Sequence, residues 1–269
     1  MRMLRSHRKV QTISKIVAAF LGYFTLSILY FPIIWLILMS FSGEPLSTIP
    51  GDFTLKWYNA LIDNNSFRIG QPVFLSLCLA VFTGLACAAC ALLVGRVLPK
   101  IQGGWPYLLL FLLPLFIPGI VLGAGMFMYY RLVIGVKMGM WSLALAHFVW
   151  AFPFALLCML IVSSRFDPRL LEAAADLGAS RWRQFRDIEF PLMKPGIFAG
   201  AFFSFLLSFN ELPRSIFMRS GELTLPLFLW IQSGSHDSTI PLIYAMSALI
   251  TVASLAISVI AIRMMISGD

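Results

Sequence analysis

Residues 72–95 read PVFLSLCLAVFTGLACAACALLVG, and this uncharged stretch decides the fold class. The nearest charged residues on either side are Arg68 and Arg96. An α-helix that crosses the ~30 Å hydrocarbon core of a bilayer needs about 20 predominantly apolar residues. The stretch therefore predicts a membrane-spanning helix.

The composition of the whole chain agrees with this prediction. Of its 269 residues, 59% are hydrophobic and 12% are charged, and that charged share is about half the ~25% of a typical soluble domain. Such a chain is too apolar for a compact soluble domain and too poor in charge for a disordered one. Five more uncharged runs follow the same pattern, and the first is too long for a cleaved signal peptide. We predict an all-α integral membrane protein in which residues 1–269 form a single domain with six spans, at about 16–41, 72–95, 106–130, 139–163, 195–217 and 239–263.

Lysine and arginine are distributed unequally between the two sides of the predicted membrane. Fourteen of the 20 lie before the first span, after the sixth, or in the loops that follow the second and fourth spans. The other six lie in the loops that follow the first, third and fifth spans. Because short loops rich in these residues stay in the cytoplasm, we predict that both termini are cytoplasmic. The excess of basic residues that gives the net charge of +8 is therefore explained by the orientation of the chain in the membrane. Nucleic-acid binding is not expected.

The predicted cytoplasmic loop at residues 164–194 carries the most specific pattern in the chain. Residues 170–177, LLEAAADL, predict a short helix because alanine and leucine favour helix. Gly178 then predicts a sharp turn with a positive φ. Ser180 is placed to cap a second helix, which we expect to end before Pro191.

The same loop contains a spaced motif. The residues Glu172-Ala173-Ala174, then Gly178 after three positions, then IEFP at 188–191 after nine more, resemble the EAA signature of binding-protein-dependent ABC importer permeases. The usual form is EAA-x3-G-x9-I-x-L-P, and Phe190 replaces the leucine here. The stretches FTLKWY at 53–58, LP at 113–114 with PGIV at 118–121, and SFNE at 208–211 further resemble the second permease subunit of spermidine/putrescine transporters.

The resemblance implies a type I ABC importer permease fold in the bacterial inner membrane, and a transport subunit rather than an enzyme. It implies a lipid-embedded heterodimer with a second, related permease, two cytoplasmic ABC ATPase subunits and an extracytoplasmic solute-binding protein. The chain has no G-x4-G-K-[ST] phosphate loop, so ATP and Mg are expected on the ATPases and no cofactor on this chain. No second C-x-x-C accompanies Cys87 and Cys90, so no metal site is expected. The residues that the resemblance places against an ATPase are Glu172, Ala173, Ala174, Leu177, Gly178 and Ala179.

The fifth predicted span contains the candidate pathway residues. Glu211 follows Lys194 by about 24 Å of helix at ~1.5 Å per residue, which places it in the outer third of the bilayer or at its rim. An ionisable residue at that depth is a functional candidate. The candidate pathway set is Ser204, Ser208, Asn210 and Glu211, and the first two with Glu211 recur at i, i+4 and i+7. Two alternatives are that the serines only pack helices and that Glu211 pairs with Arg214. His147, inside the fourth span, is expected to be buried and hydrogen-bonded in a structural role.

The substrate follows only from the resemblance, which implies a polyamine or a related small amine or amino-acid-like solute. Members of that subfamily often carry two acids where this chain has Asn210 and Glu211, and this combination also suits a solute with both an amine and an acidic group. The alternatives are a permease for another small organic solute, a secondary carrier and an integral membrane enzyme. No inverted repeat with broken helices is evident, which disfavours the carrier, and too few catalytic groups converge for the enzyme.

Overall fold

The computed structural model describes residues 2–47, 49–63, 69–234 and 237–266, and these residues are predominantly helical. Within them, the β-type pairing is one isolated bridge between Ser42 and Phe53. The α-helices are α1 (Arg2–Ser40), α2 (Lys56–Asp63), α3 (Gly70–Val97), α4 (Trp105–Leu112), α5 (Gly119–Met128), α6 (Met140–Ser163), α7 (Arg169–Asp176), α8 (Arg181–Gln184), α9 (Phe190–Phe209), α10 (Ser215–Met218), α11 (Leu225–Ser233) and α12 (Ile240–Ile266).

Five helices in the described part of the chain are long and apolar enough to cross a membrane, and the count reaches six when one bent pair is taken as a single span. These segments are Lys15–Ser40, Gly70–Lys100, Met140–Ser163, Arg181–Phe209 and Ile240–Ile260, with the bent pair at Trp105–Leu115 and Gly119–Ile134. The predicted all-α membrane fold is confirmed. The cytoplasmic placement of both termini stays a prediction.

The third predicted span, 106–130, is not one continuous helix. Helix α4 passes into a 3-10 turn at Leu113–Leu115 and stops, and α5 begins at Gly119 at an angle of 97° to the first segment. The physical reason lies in Pro114 and Pro118, which lack the N–H groups that would continue the ladder.

The fifth predicted span, 195–217, differs at both ends. Helix α8 does not stop before Pro191, because a π-helical turn at Phe185–Glu189 joins it to α9 and the helix runs on to Phe209. The wider π turn accommodates the proline immediately after it. At the other end α9 stops at Phe209, and five residues pass before α10 begins at Ser215.

The chain divides into two compact units, Met1–Phe67 with Gln232–Ala253 and Arg68–Ile231 with Ser254–Asp269. In the first unit, α2 lies against the end of α1: the Trp57 indole N–H donates to the carbonyl of Ser42 at 2.7 Å, and the hydroxyls of Ser40 and Tyr58 are 2.6 Å apart. The prediction of a single domain is not tested by this division and stays a prediction.

In the second unit, helices α3, α6 and α9 pack against one another and form the core. The buried side chains at their contact are mostly small or flexible: Cys87, Ala91, Ala151, Phe152, Ala155, Leu156, Met159 and Met193. Membrane helices associate closely through such residues because lipid supplies no hydrophobic drive between them. The close packing fixes α6 and α9 side by side, and the candidate site is built on these two helices.

Candidate functional site

The loop between α6 and α9 has the predicted turn at Gly178. Helix α7 ends at Asp176, and Gly178 has a φ of +79°. The N–H of Gly178 donates to the carbonyl of Ala175 and that of Ala179 to the carbonyl of Ala174, both at 2.9 Å. This pair of bonds is a Schellman motif, which places a glycine at the left-handed position.

The second helix of the loop starts at the predicted cap. Ser180 has extended backbone angles, and its hydroxyl accepts a hydrogen bond from the N–H of Arg183 at 3.4 Å. The predicted positive φ and the predicted cap are both confirmed. A helix, a tight turn and a second helix therefore follow the end of α6.

This loop is exposed over the residues that the sequence places against an ATPase. Glu172, Ala173 and Gly178 are exposed, and Ala174 and Ala179 are half-buried. Leu177 leaves 89% of its surface accessible. The turn therefore leaves a large apolar side chain uncovered beside Gly178. The geometry permits the predicted docking, and the contact itself stays a prediction.

A partly buried ion pair ties this region to α3. Arg96, near the end of α3, donates to Glu189 at 2.6 Å, and the Glu189 side chain is only 4% exposed. The Arg96 guanidinium also lies 4.4 Å from the centre of the Phe185 ring. Glu189 and Phe185, the two residues that contact Arg96, belong to the π-helical turn that follows the loop. The sequence analysis missed this pair because the two residues are 93 positions apart.

The two helix breaks meet at a cavity of about 810 Å³. Its walls are Leu115, Phe116, Ile117, Pro118 and Gly119 of the first break, Trp150 of α6, Phe203, Leu206 and Leu207 of α9, and Asn210, Glu211, Pro213 and Arg214 of the second break. Irregular backbone at membrane depth is tolerated only where it is buried in protein or lines an aqueous cavity. The two breaks therefore lie where this unit surrounds the cavity.

One ion pair is buried at that cavity. Nη1 of Arg214 donates to both carboxylate oxygens of Glu211, at 3.0 and 2.9 Å, and the backbone N–H of Arg214 donates to one of them at 2.9 Å. Both side chains are 3% exposed. The guanidinium carbon lies 4.1 Å from the centre of the Trp150 ring. A Cβ at Gly119 would lie 3.0 Å from Nη1, so only glycine fits there without moving the arginine.

The alternative pairing of Glu211 with Arg214 is thus the arrangement observed, and both residues also line the cavity. Arg214, counted among the loop cations, does lie in the non-helical segment between α9 and α10, but its side chain is buried. Glu211 also does not continue a helical stripe of serines, since α9 ends two residues before it.

Two of the four candidate pathway residues bond to α6 and are not among the residues of the cavity wall. The Ser204 hydroxyl is 3.4 Å from the carbonyl of Ala151, and the Ser208 hydroxyl is 2.8 Å from Nδ1 of His147. Nε2 of the same histidine is 2.9 Å from the hydroxyl of Ser215. His147 therefore joins the end of α9 to the start of α10 across the second break. Its predicted burial and hydrogen bonding are confirmed.

Two wall features were not singled out from the sequence: Trp150 and the first break. The break had a signal, because Pro114, Pro118 and Gly119 punctuate an otherwise apolar run. Trp150 had none, since one tryptophan in an apolar helix resembles any lipid-facing or packing residue.

The helical membrane fold, the cavity at two helix breaks and the exposed helix–turn–helix loop together define a solute transport subunit. The chain belongs to the family described as "Binding-protein-dependent transport system inner membrane component", whose model matches residues 80–265. It is therefore a permease of an ABC importer in the inner membrane, and not an enzyme.

Individual relatives agree with the family. The chain is 33% identical over 230 residues to the spermidine/putrescine transport system permease protein PotC of Escherichia coli (strain K12), which covers 84% of this chain and 85% of that protein. It is 27% identical over 228 residues to the putrescine transport system permease protein PotI of the same strain, covering 80% and 78%. A more distant match, 23% identical over 213 residues and covering 76% of each chain, is the diacetylchitobiose uptake system permease protein DasC of Streptomyces coelicolor.

Proposed function

We propose that this permease forms half of the solute pathway of an ATP-driven importer and docks its cytoplasmic ATPases through the loop at residues 164–194. The observation that carries the proposal is the exposed turn at Gly178, where a Schellman motif presents Glu172 to Ala179 as one surface. The sequence motif at these positions supports the same contact. In this proposal, the loop and both termini face the cytoplasm.

The assembly contains two ATPases, a second permease related to this one, and an extracytoplasmic solute-binding protein. Because the sequence has no phosphate-binding loop, ATP and Mg are bound by the ATPases. ATP binding brings the two docking loops together, and the pathway then opens toward the binding protein. The cavity at the two helix breaks is this chain's part of the pathway, since broken spans at membrane depth are a common feature of transporter sites.

The solute in this proposal is a polyamine or a related small amine or amino-acid-like compound. The names of the relatives at 33% and 27% identity support an amine. The match to a diacetylchitobiose permease indicates that the family accommodates other solutes on the same fold. The aromatic and amide groups of the cavity wall favour the amine.

Co-purification with the ATPase tests the docking surface. The tagged permease is co-expressed with its partner subunits, and the amount of ATPase retained after purification is measured. Glu172→Lys should abolish retention, because it inverts the charge on the exposed face of α7. Glu222→Lys is the matched control: it is also an exposed acid but lies between α10 and α11, and it should retain the ATPase in full.

Uptake into proteoliposomes that enclose ATP and the ATPase face, with the solute-binding protein outside, tests the energy source. Accumulation of labelled putrescine or spermidine should require ATP and should not require an ion gradient. Equal retention of the ATPase by both charge-inverted variants would refute the docking surface. Uptake driven by an ion gradient without ATP would refute the import mechanism.

A further inference from the structure

The hydrogen bonds already made at the cavity wall determine which ligand groups the wall can still bind. Both oxygens of Glu211 accept hydrogen bonds from Arg214, and the guanidinium neutralises the carboxylate. The Glu211 side chain is 3% exposed. An ammonium group entering the cavity therefore meets a carboxylate that already has a cation as its partner.

The guanidinium of Arg214 has two close neighbours besides Glu211, Trp150 and Gly119. The Trp150 ring covers one region of it, with 4.1 Å between the guanidinium carbon and the ring centre. Gly119 approaches so closely that a Cβ there would lie 3.2 Å from both Cζ and Nη2. Nη1 is occupied by Glu211. The edge that carries Nε and Nη2 is the part of the guanidinium that Glu211 leaves unpaired.

Nε on that edge has no acceptor. It is buried, and among the residues that the structure describes it has no hydrogen-bond partner. A buried donor without an acceptor is costly, and native structures rarely leave one in place without a reason. The Nε–Nη2 edge of a guanidinium matches the two oxygens of a carboxylate or a similar anionic group, and such pairs are among the strongest hydrogen-bonded contacts in proteins.

We propose that this edge of Arg214 binds an acidic oxygen group of the transported solute. The inference rests on the proposed import function and narrows its substrate class to a small amine that also carries a carboxylate or a comparable acidic group. Asn210 supplies a second polar group on the wall: its Nδ2 donates to the carbonyl of Leu206 at 2.9 Å, which directs the amide oxygen to accept from a ligand ammonium. The aromatic rings of Phe116 and Phe203 line the same cavity and favour a cation over their faces.

Binding of matched probes to the transporter complex tests the proposal. The permease, its partner permease and its ATPases are reconstituted in nanodiscs, and the binding of 4-aminobutanoate and putrescine is measured by calorimetry. The two probes have the same carbon chain, and only the first carries a carboxylate. The first should bind about tenfold or more tightly than the second, the effect of one hydrogen bond to a charged group. Equal affinities, tighter binding of putrescine, or binding of neither probe would overturn the proposal.

Two variants locate the effect at Arg214. Arg214→Lys keeps the positive charge beside Glu211 but removes the Nε–Nη2 edge, so it should weaken 4-aminobutanoate about tenfold or more and abolish its advantage over putrescine. The double variant Glu211→Gln with Arg214→Gln removes both charges together, and its melting temperature shows whether the fold survives. If the folded variants bind 4-aminobutanoate as the native complex does, Arg214 is not the site.

The outcome is distinguishable from failure of the import function itself. ATP-dependent uptake of putrescine that 4-aminobutanoate does not inhibit would overturn this inference and leave the proposed function standing. Uptake of either probe without ATP would overturn the proposed function.

Discussion

Replacing Gly178 with valine should separate transport from folding of the membrane domain. Gly178 has a φ of +79°, and a Cβ built there meets no atom within 4 Å. The whole local cost is therefore conformational, about 1–2 kcal/mol for a residue with a Cβ in the left-handed region. That free energy lowers the ratio of native to non-native turn by a factor of about 5–30. The strain alone should weaken the ATPase contact by up to that factor, and the added side chain, which projects from the docking surface, should weaken it further.

The assay compares three variants of the purified complex. Gly135 has the same φ of +79° and also no atom within 4 Å of a built Cβ, so Gly135→Val carries the same strain in another loop. Gly178→Val should lose ATPase retention and ATP-driven uptake while its melting temperature stays near that of the native chain. Gly135→Val should retain the ATPase, and Gly178→Asn should keep most of it because asparagine tolerates positive φ. Normal uptake by Gly178→Val with its ATPase bound, or equal loss of ATPase in both valine variants, would refute this reasoning.

Three further predictions test other parts of the structure. Glu189→Gln removes the charged partner of Arg96 and should lower the free energy of unfolding by about 1–3 kcal/mol; a melting temperature equal to that of the native chain would contradict this. His147→Ala removes the shared partner of two buried serine hydroxyls and should lower the free energy of unfolding by about 2 kcal/mol or more. Denaturant unfolding in detergent measures this loss, and His147→Gln should recover part of it. Gly119→Ala places a methyl group 3.0 Å from the guanidinium of the cavity pair, whereas Gly125→Ala meets nothing within 4 Å. Only the first should therefore reduce uptake, and equal uptake by the two variants would argue against the tight fit.

Patterns confined to short stretches of sequence predicted the local structure well. The apolar runs at 72–95 and 139–163 correspond closely to α3 and α6. The turn at Gly178 and the cap at Ser180 also followed from single residues with strong backbone or capping preferences. In each case a few neighbouring residues determine the outcome, so the sequence alone suffices.

Features that depend on distant residues were not predictable in the same way. Arg96 meets Glu189, and Trp150 meets Arg214, only because α3, α6 and α9 pack together. Hydrophobicity alone also gives no indication of where a span bends, and the third span was taken as continuous although its prolines signalled a break. The broken span also removes one argument that the sequence offered against a secondary carrier, and it is the family match that excludes that class.

The 29-residue helix that runs from Arg181 to Phe209 connects the docking loop directly to the cavity. At ~1.5 Å per residue it is about 40 Å long, so a tilt of about 5° at one end displaces the other by about 3 Å. A shift of that size equals the length of a hydrogen bond and is enough to make or break a contact between rigidly packed groups. In the proposed function, a small rotation of this helix at the loop would therefore change the width of the cavity at the membrane break.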